Sequence, residues 1–88
     1  MGRVGVSALV TLYSRPGCHL CDEARAAIRA LGAELGGLRL QEVNIDDDER
    51  LFLRYLERIP VVEVGGAIVS ELVLDVDALR ASLDTLDR

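Results

Sequence analysis

Two apolar, strand-like segments flank one long amphipathic helix, and this order constrains the fold more than any other feature. The first segment, Ala8–Tyr13, is apolar at nearly every position, as expected of a strand buried on both faces. A helix is predicted from about Cys18 to Leu35, stopped by Gly36-Gly37. Its apolar face carries Leu20, Ala24, Ala27, Ile28, Leu31 and Leu35. Leu38–Ile45 forms the second strand, so the helical crossover predicts a parallel, right-handed pair at the centre of a sheet.

The second strand is less regular than the first and leads into an acidic helix start. Its apolar alternation slips between Leu40 and Val43, which indicates either a bulge or a late start of the strand. The acidic run Asp46–Glu49 is typical of a helix N-terminus, and Pro60 ends the helix that follows. The apolar face of this second helix consists of Leu51, Phe52, Tyr55, Leu56 and Ile59.

The last part of the chain predicts a hairpin and a final helix. Val61–Val64 and Ala67–Val69 are joined by Gly65-Gly66, which supplies the positive φ of a tight turn. Asp75 caps a helix whose inward positions are Val76, Leu79, Leu83 and Leu86. The whole order is βαβ-α-ββ-α, which places the chain in the α/β class, with residues 1–88 forming a single domain.

Composition and charge exclude several classes of function. The formal net charge of −5 argues against a nucleic-acid binder, which needs a basic surface. The first apolar stretch is too short to span a bilayer, and no clear cleavage pattern follows it. We therefore expect a cytoplasmic monomer that acts without a membrane. In that reducing compartment a cysteine pair serves redox chemistry or metal binding more often than permanent cross-linking.

The chemistry of the chain is concentrated in Cys18-His19-Leu20-Cys21, which holds both cysteines and the single histidine. Residues three apart on a helix have Cα atoms roughly 5 Å apart, which is within the range of a disulfide. Backbone N–H groups and the helix dipole at this end stabilise a thiolate on Cys18, and Cys21 lies one turn deeper. The asymmetry predicts that Cys18 is the nucleophile and Cys21 the resolving thiol.

Two other interpretations of the cysteine pair stay open at this stage. A structural zinc site needs four ligands and one chain offers two cysteines, so no metal is expected within a monomer. A dimer bridged by two CxxC motifs could still hold zinc or an iron–sulfur cluster. The third interpretation is an interaction module in which the pair acts only as a redox-sensing switch.

The CxxC motif at a strand-to-helix junction, followed by Ile59-Pro60 before a hairpin, resembles the glutaredoxin branch of the thioredoxin superfamily. The opening Tyr-Ser-Arg-Pro-Gly-Cys-His-Leu-Cys is similar to that of small bacterial glutaredoxin-like proteins. The resemblance implies a thioredoxin-like fold with a four-stranded mixed sheet and three helices. It also implies a cis Ile59–Pro60 bond, whose backbone lies beside Cys18 and pairs with the main chain of the substrate.

Other residues near the motif match the family in part. Arg15 occupies a position where glutaredoxins often place a basic residue, for thiolate stabilisation or an anionic substrate; a solvated arginine is the alternative. His19 could tune the pKa of Cys18, or could be a solvent-facing spacer. The family's aromatic residue is missing from the motif, and Ser70-Glu71-Leu72 stands where glutaredoxins carry Gly-Gly and an acidic residue.

The predicted activity is therefore thiol–disulfide exchange on protein or small-molecule disulfides. A thiol reductant system would regenerate the dithiol, either glutathione or a thioredoxin-reductase-type partner. We expect no bound cofactor, and glutathione enters only as a candidate reductant.

Overall fold

The computed structural model describes residues 8–86, with side chains described as far as Asp84. Four strands and three helices follow one another in the predicted order. They are β1 (Leu9–Ser14), α1 (His19–Glu34), β2 (Arg39–Asn44), α2 (Glu49–Tyr55), β3 (Val61–Val64), β4 (Ala67–Glu71) and α3 (Val76–Leu86), with a 3₁₀ turn at Ile45–Asp47 before α2.

The strands form one mixed sheet in the order β2-β1-β3-β4. β1 pairs with β2 in parallel, which confirms the predicted parallel pairing, and β1–β3 and β3–β4 are antiparallel. The prediction that the parallel pair lies at the centre of the sheet is wrong, because β2 is an edge strand and the antiparallel pair β1–β3 is central. The register of β1 and β2 runs without interruption from Leu9↔Arg39 to Ser14↔Asn44. A register shift lies instead in the hairpin, at Val62/Glu63.

The broken alternation in β2 therefore has a cause other than a bulge. Leu40 packs against the core beside α1, and Glu42, two residues on, shares that face of the strand. The Glu42 carboxylate pairs there with Arg25 of α1 and accepts a hydrogen bond from Ser14. Glu42, a charged residue with fixed partners, thus stands where the apolar alternation predicts a hydrophobic side chain. The strand also begins at Arg39, one residue later than predicted.

The main core lies between the sheet and the helices α1 and α3. Its buried members are Val10, Leu12, Ala24, Ile28, Leu31, Val62, Val64, Leu79 and Leu83. Leu20 and Leu35 were predicted to point inward and are exposed, because they lie at the two ends of the α1 region. Cys21 and Gly32 take buried positions on that face instead.

A second, smaller cluster covers the other face of the sheet near the carboxyl end of β1. Ile45, Tyr55 and Val61 are buried there, and Tyr13 packs against them. The prediction that β1 is buried on both faces is only partly right, since Tyr13 is half-buried and Leu9 is exposed. α2 has only seven residues, too few to cover the whole of this face.

The element ends follow the capping chemistry of the sequence. Asp48 caps α2 by accepting from the backbone N–H groups of Arg50 and Leu51, and Asp75 caps α3 by accepting from that of Ala78. α2 ends at Tyr55, four residues before the predicted end at Ile59.

The reason for the early end of α2 lies in its last turn. The N–H of Arg58 donates to the carbonyl of Tyr55, three residues earlier, at 2.8 Å, so the chain tightens there to a 3₁₀-type turn. The N–H of Ile59 donates to the same carbonyl at 3.0 Å, and Pro60 has no N–H with which to continue the ladder.

The final helix confirms two of its four predicted inward residues. Leu79 and Leu83 are buried, whereas Val76 is exposed in the first turn. The predicted inward position of Leu86 lies outside the described side chains.

Candidate active site

The cysteine motif follows a tight turn that the local sequence dictates. The backbone N–H of Cys18 donates to the carbonyl of Arg15 at 3.3 Å, which closes a four-residue turn. Pro16 stands at the second position of this turn and Gly17, with φ of 83°, at the third. Proline fixes φ near −65° and glycine tolerates positive φ, which is the signature of a type II turn. The turn carries the chain from the buried end of β1 directly to the start of α1.

Cys18 is the N-cap of α1 and is joined to Cys21 by a disulfide. The two Cα atoms are 5.1 Å apart, as the helical spacing predicts. Cys21 is fully buried, whereas Cys18 is partly exposed. The backbone N–H of Cys21 points at the Sγ of Cys18, at 3.1 Å. A donor aimed at one sulfur and full burial of the other give the pair the predicted asymmetry.

The Ile59–Pro60 segment lies at the same end of the strands as the turn that leads to Cys18. Tyr13 of β1 pairs with Val61 of β3, so the residue before Val61 is level with the end of β1 and with the loop that leads to Cys18. The Ile59–Pro60 peptide bond is cis, and Pro60 is buried. The N–H of Ile59 already donates to the carbonyl of Tyr55, at 3.0 Å. Pairing of this backbone with a substrate main chain stays a prediction.

Arg15 is held between the active-site turn and α2. Its Nε lies 3.1 Å from Oδ1 of Asp46, an ion-pair distance without hydrogen-bond geometry. The guanidinium carbon lies 5.4 Å from the centre of the Phe52 ring, within cation–π range. Both contacts fix the side chain against α2 and the turn that precedes it. A contact of Arg15 with a substrate or with the thiolate stays a prediction.

His19 faces solvent at the start of α1. Its side chain is 86% exposed, and Nε2 lies 3.3 Å from Oε2 of Glu23, one helical turn further on. The two side chains form an i,i+4 pair on the exposed face of α1, next to Cys18 in sequence. An effect of His19 on the thiol therefore stays a prediction, with Glu23 as a partner that the sequence reasoning did not assign to it.

A polar network below the active-site turn was missed from the sequence. Arg25 donates from Nε to Oε1 of Glu42 at 2.8 Å and also pairs with Oε2, while its Nη1 donates to Asp22 at 2.8 Å. The buried hydroxyl of Ser14 donates to Glu42 at 2.9 Å. The Arg25 guanidinium holds the pKa of Glu42 below its usual value, and Glu42 raises the pKa of Arg25 in turn. The slip in the apolar alternation of β2 was the one sequence signal of this network.

Two further pairs involve residues that face the second cluster. The Tyr13 hydroxyl donates to Oε1 of Glu63 at 3.1 Å. Burial, and then this hydrogen bond, raise the pKa of Tyr13. Arg58, at the beginning of the Pro60 loop, pairs with Glu71 at the end of β4, and its guanidinium lies 5.3 Å from the Tyr55 ring centre. Arg58 and Arg15 thus each have their own carboxylate partner, Glu71 and Asp46.

Neither a metal cluster nor a membrane span is found in the part of the chain that the structure describes. No three histidine, cysteine, aspartate or glutamate side chains among these residues group as metal ligands would. No helix among them is both long and apolar enough to cross a bilayer.

Comparison with known proteins places this geometry in a family. The profile of the glutaredoxin-like domain (DUF836) matches residues 9–84. A protein from Nitrosomonas europaea, known by solution NMR, is 31% identical, with a TM-score of 0.78 over 92% of this chain and 96% of its own. An X-ray structure of a protein from X. campestris is 39% identical, with a TM-score of 0.68 over 86% of this chain and 96% of its own. No curated protein matches the chain in sequence.

More distant structures agree on the fold. A mutant thioredoxin from Halobacterium salinarum has a TM-score of 0.61 at 22% identity, over 93% of this chain and 76% of its own. At that identity the similarity concerns the fold alone. Together with the four-stranded mixed sheet and the three helices, it confirms the predicted thioredoxin-like fold.

Proposed function

The chain belongs to the glutaredoxin-like domain (DUF836) family, and on that premise we propose that it is a dithiol thiol–disulfide oxidoreductase. One observation carries the proposal. Cys18 and Cys21 form a disulfide at the N-terminus of α1, with one sulfur partly exposed and the other buried. Such a pair can be opened and closed with little movement of the backbone.

The first step is attack by the Cys18 thiolate on one sulfur of a substrate disulfide. A bond forms between Cys18 Sγ and that sulfur while the substrate S–S bond breaks. The other substrate sulfur leaves as a thiolate and takes a proton from solvent. The position of Cys18 supports this role, because the N–H of Cys21 lies 3.1 Å from its sulfur and helix-end N–H groups stabilise negative charge.

The second step closes the internal disulfide. Cys21 loses its proton and attacks Cys18 Sγ, which forms the Cys18–Cys21 bond and releases the second substrate sulfur as a thiolate. Two electrons have then passed from the protein dithiol to the substrate, which has become two thiols. The leaving group of this step is the substrate thiolate, so a more acidic substrate thiol is released faster.

Regeneration needs two electrons from an external thiol reductant. Two reducing thiols, from glutathione or from a thioredoxin-reductase-type partner, become a disulfide while Cys18 and Cys21 return to thiols. We place the reaction in the cytoplasm, where such reductants are maintained. Ile59 and Pro60 would align the main chain of the substrate, Arg15 would contact it, and His19 would adjust the thiolate.

Turnover of a peptide disulfide with excess dithiothreitol tests the proposal. Cys18→Ser should abolish turnover, because the attacking sulfur is lost. Cys21→Ser, mixed with the substrate in the absence of dithiothreitol, should stop after the first step and hold a mixed disulfide on Cys18, which peptide mass analysis would locate. A Cys18→Ser protein that turns over the substrate at nearly the wild-type rate would refute the proposal that this chain is a dithiol oxidoreductase.

A further inference from the structure

We infer that Leu72 selects protein disulfides that carry an apolar residue about three positions from the reacting cysteine, in preference to glutathione disulfide. This inference rests on the proposed function and names the substrate class of that same site. The observation behind it concerns the backbone: among residues 8–86, Leu72 is the one residue other than glycine with a positive φ, 67°. An outlier of this kind at the edge of a reaction site calls for a functional explanation.

Leucine is a costly choice at this position for the folded chain alone. An L-residue with a Cβ atom is strained at positive φ, whereas glycine adopts it freely. Burial does not compensate for the strain, since Leu72 is 49% exposed and its neighbour Val73 is 69% exposed. Glycine would keep every backbone contact and relieve the strain. The leucine side chain therefore serves something outside the folded domain.

The backbone of Leu72 is fixed to the loop that carries Pro60. Its N–H donates to the carbonyls of Arg58 and Pro60, both at 3.0 Å. The preceding residue, Glu71, pairs with Val61 of β3, which pairs in turn with Tyr13 of β1. Leu72 thus directly follows β4, which lies two strands away from β1, at the end of the sheet where the active-site turn begins.

This distance suits a bound peptide. Neighbouring strands are about 4.8 Å apart, so two strand spacings are roughly 10 Å, the length of about three extended residues. We therefore expect a peptide joined to Cys18 to bring the side chain about three residues from its cysteine onto Leu72 and Val73. Leu20, inside the motif and exposed, adds apolar surface on the Cys18 side.

The charges at this edge disfavour glutathione disulfide. Its carboxylates need cationic partners, for which arginine is well suited. Arg58 is paired with Glu71, and Arg15 with Asp46, so a carboxylate ligand would have to displace an acidic side chain already in place. The chain as a whole is also acidic, with a formal net charge of −5. An apolar side chain carries no charge, so it neither has to displace a paired carboxylate nor is repelled by the negative net charge of the chain.

The test compares two peptide disulfides that differ only in the residue three positions from the cysteine on either side, leucine in one and aspartate in the other. Glutathione disulfide is the third substrate. Each kcat/KM is normalised to that of hydroxyethyl disulfide with the same protein, so that changes in basal chemistry cancel. The wild type should prefer the leucine peptide by about four- to twelvefold, because covering a half-exposed leucine contributes roughly half the free energy of burying a whole one. Leu72→Gly should reduce that ratio severalfold.

Two further variants test whether the apolar side chain at position 72 itself sets the preference. Leu72→Asn supplies a polar residue that tolerates positive φ, and should also lose the preference for the leucine peptide. Leu35→Gly removes a leucine of similar exposure, 43%, at the far end of α1 and should keep the wild-type ratio. Circular dichroism checks that each variant is folded.

The outcomes separate the inference from the proposed function. A wild type that reduces the disulfides without discriminating between them, or a Leu72→Asn protein with the full wild-type preference, would overturn the inference and leave the oxidoreductase assignment intact. A wild type that reduces none of the disulfides removes the assignment itself, and the inference with it.

Discussion

Replacing Glu42 by glutamine should destabilise the domain by removing charge from the network below the active-site turn. Glu42 accepts two hydrogen bonds from Arg25 and one from the buried hydroxyl of Ser14. Glutamine keeps one acceptor oxygen, which can still serve Ser14, but it loses the charge-assisted pair with Arg25. The substitution therefore isolates the ionic part of the network.

The magnitude follows from the exposure of the pair. A hydrogen bond to a charged group contributes about 1.5–3 kcal/mol when well shielded, and an exposed ion pair about 0–1 kcal/mol. The side chains of Arg25 and Glu42 are 26% and 32% exposed, between these limits. We expect a loss of about 1 kcal/mol in the free energy of unfolding, which lowers the Tm of a domain this size by roughly 4–8 °C.

The pH dependence gives the prediction its sharpest form. Arg25 depresses the pKa of Glu42 in the folded state below its value in the unfolded chain. The stabilisation is therefore complete above the unfolded value, about 4.3, and is lost as the pH falls through the folded pKa. The difference between wild type and Glu42→Gln should be largest at neutral pH and shrink in acid.

Urea unfolding at several pH values measures that difference directly. Glu34→Gln is the matched control, because Glu34 also pairs with an arginine, Arg80, but on the exposed surface. It should change the unfolding free energy less than Glu42→Gln does. Equal stability of wild type and Glu42→Gln at neutral pH, or a difference that persists undiminished in acid, would refute the reasoning.

Two further substitutions test the packing and the capping. Ile28→Ala empties a fully buried position under the sheet and should lower the unfolding free energy by about 3 kcal/mol, seen as a lower urea midpoint; a loss below about 1 kcal/mol would contradict the burial assigned to it. Asp48→Ala removes the N-cap of α2 and should cost about 1 kcal/mol in a thermal unfolding experiment, whereas Asp47→Ala, one residue earlier, should cost less.

The parts of the fold that were predicted from the sequence are those where one local signal dominates. The strand–helix–strand order, the stop of α1 just before Gly36-Gly37 and the Asp75 cap each depend on short-range pattern or capping chemistry, and the structure has all of them. The cysteine spacing likewise predicted the short Cα–Cα distance of the disulfide, and the place of Cys21 one turn inside α1 predicted its deeper burial.

The features that the sequence did not predict depend on contacts between segments that are distant in the chain. The sequence shows a charged residue at position 42 but not that Arg25 and Ser14 come to meet it, so a bulge was a reasonable alternative. Hydrophobic periodicity extended the α1 face to Leu20 and Leu35, because periodicity does not show where the sheet stops covering a helix. The positive φ of Leu72 has no signature in its own residue type, since leucine rarely adopts that conformation.

The central claim, that the start of α1 activates Cys18 for disulfide exchange, is tested most directly by the pH dependence of alkylation in the reduced, metal-free protein. Peptide mass analysis assigns each modification to Cys18 or Cys21. We predict selective alkylation of Cys18 with a midpoint well below the free-thiol value of about 8.5, since an N–H group lies 3.1 Å from its sulfur and Cys21 is buried. Slow alkylation of both cysteines with ordinary thiol midpoints would contradict the account.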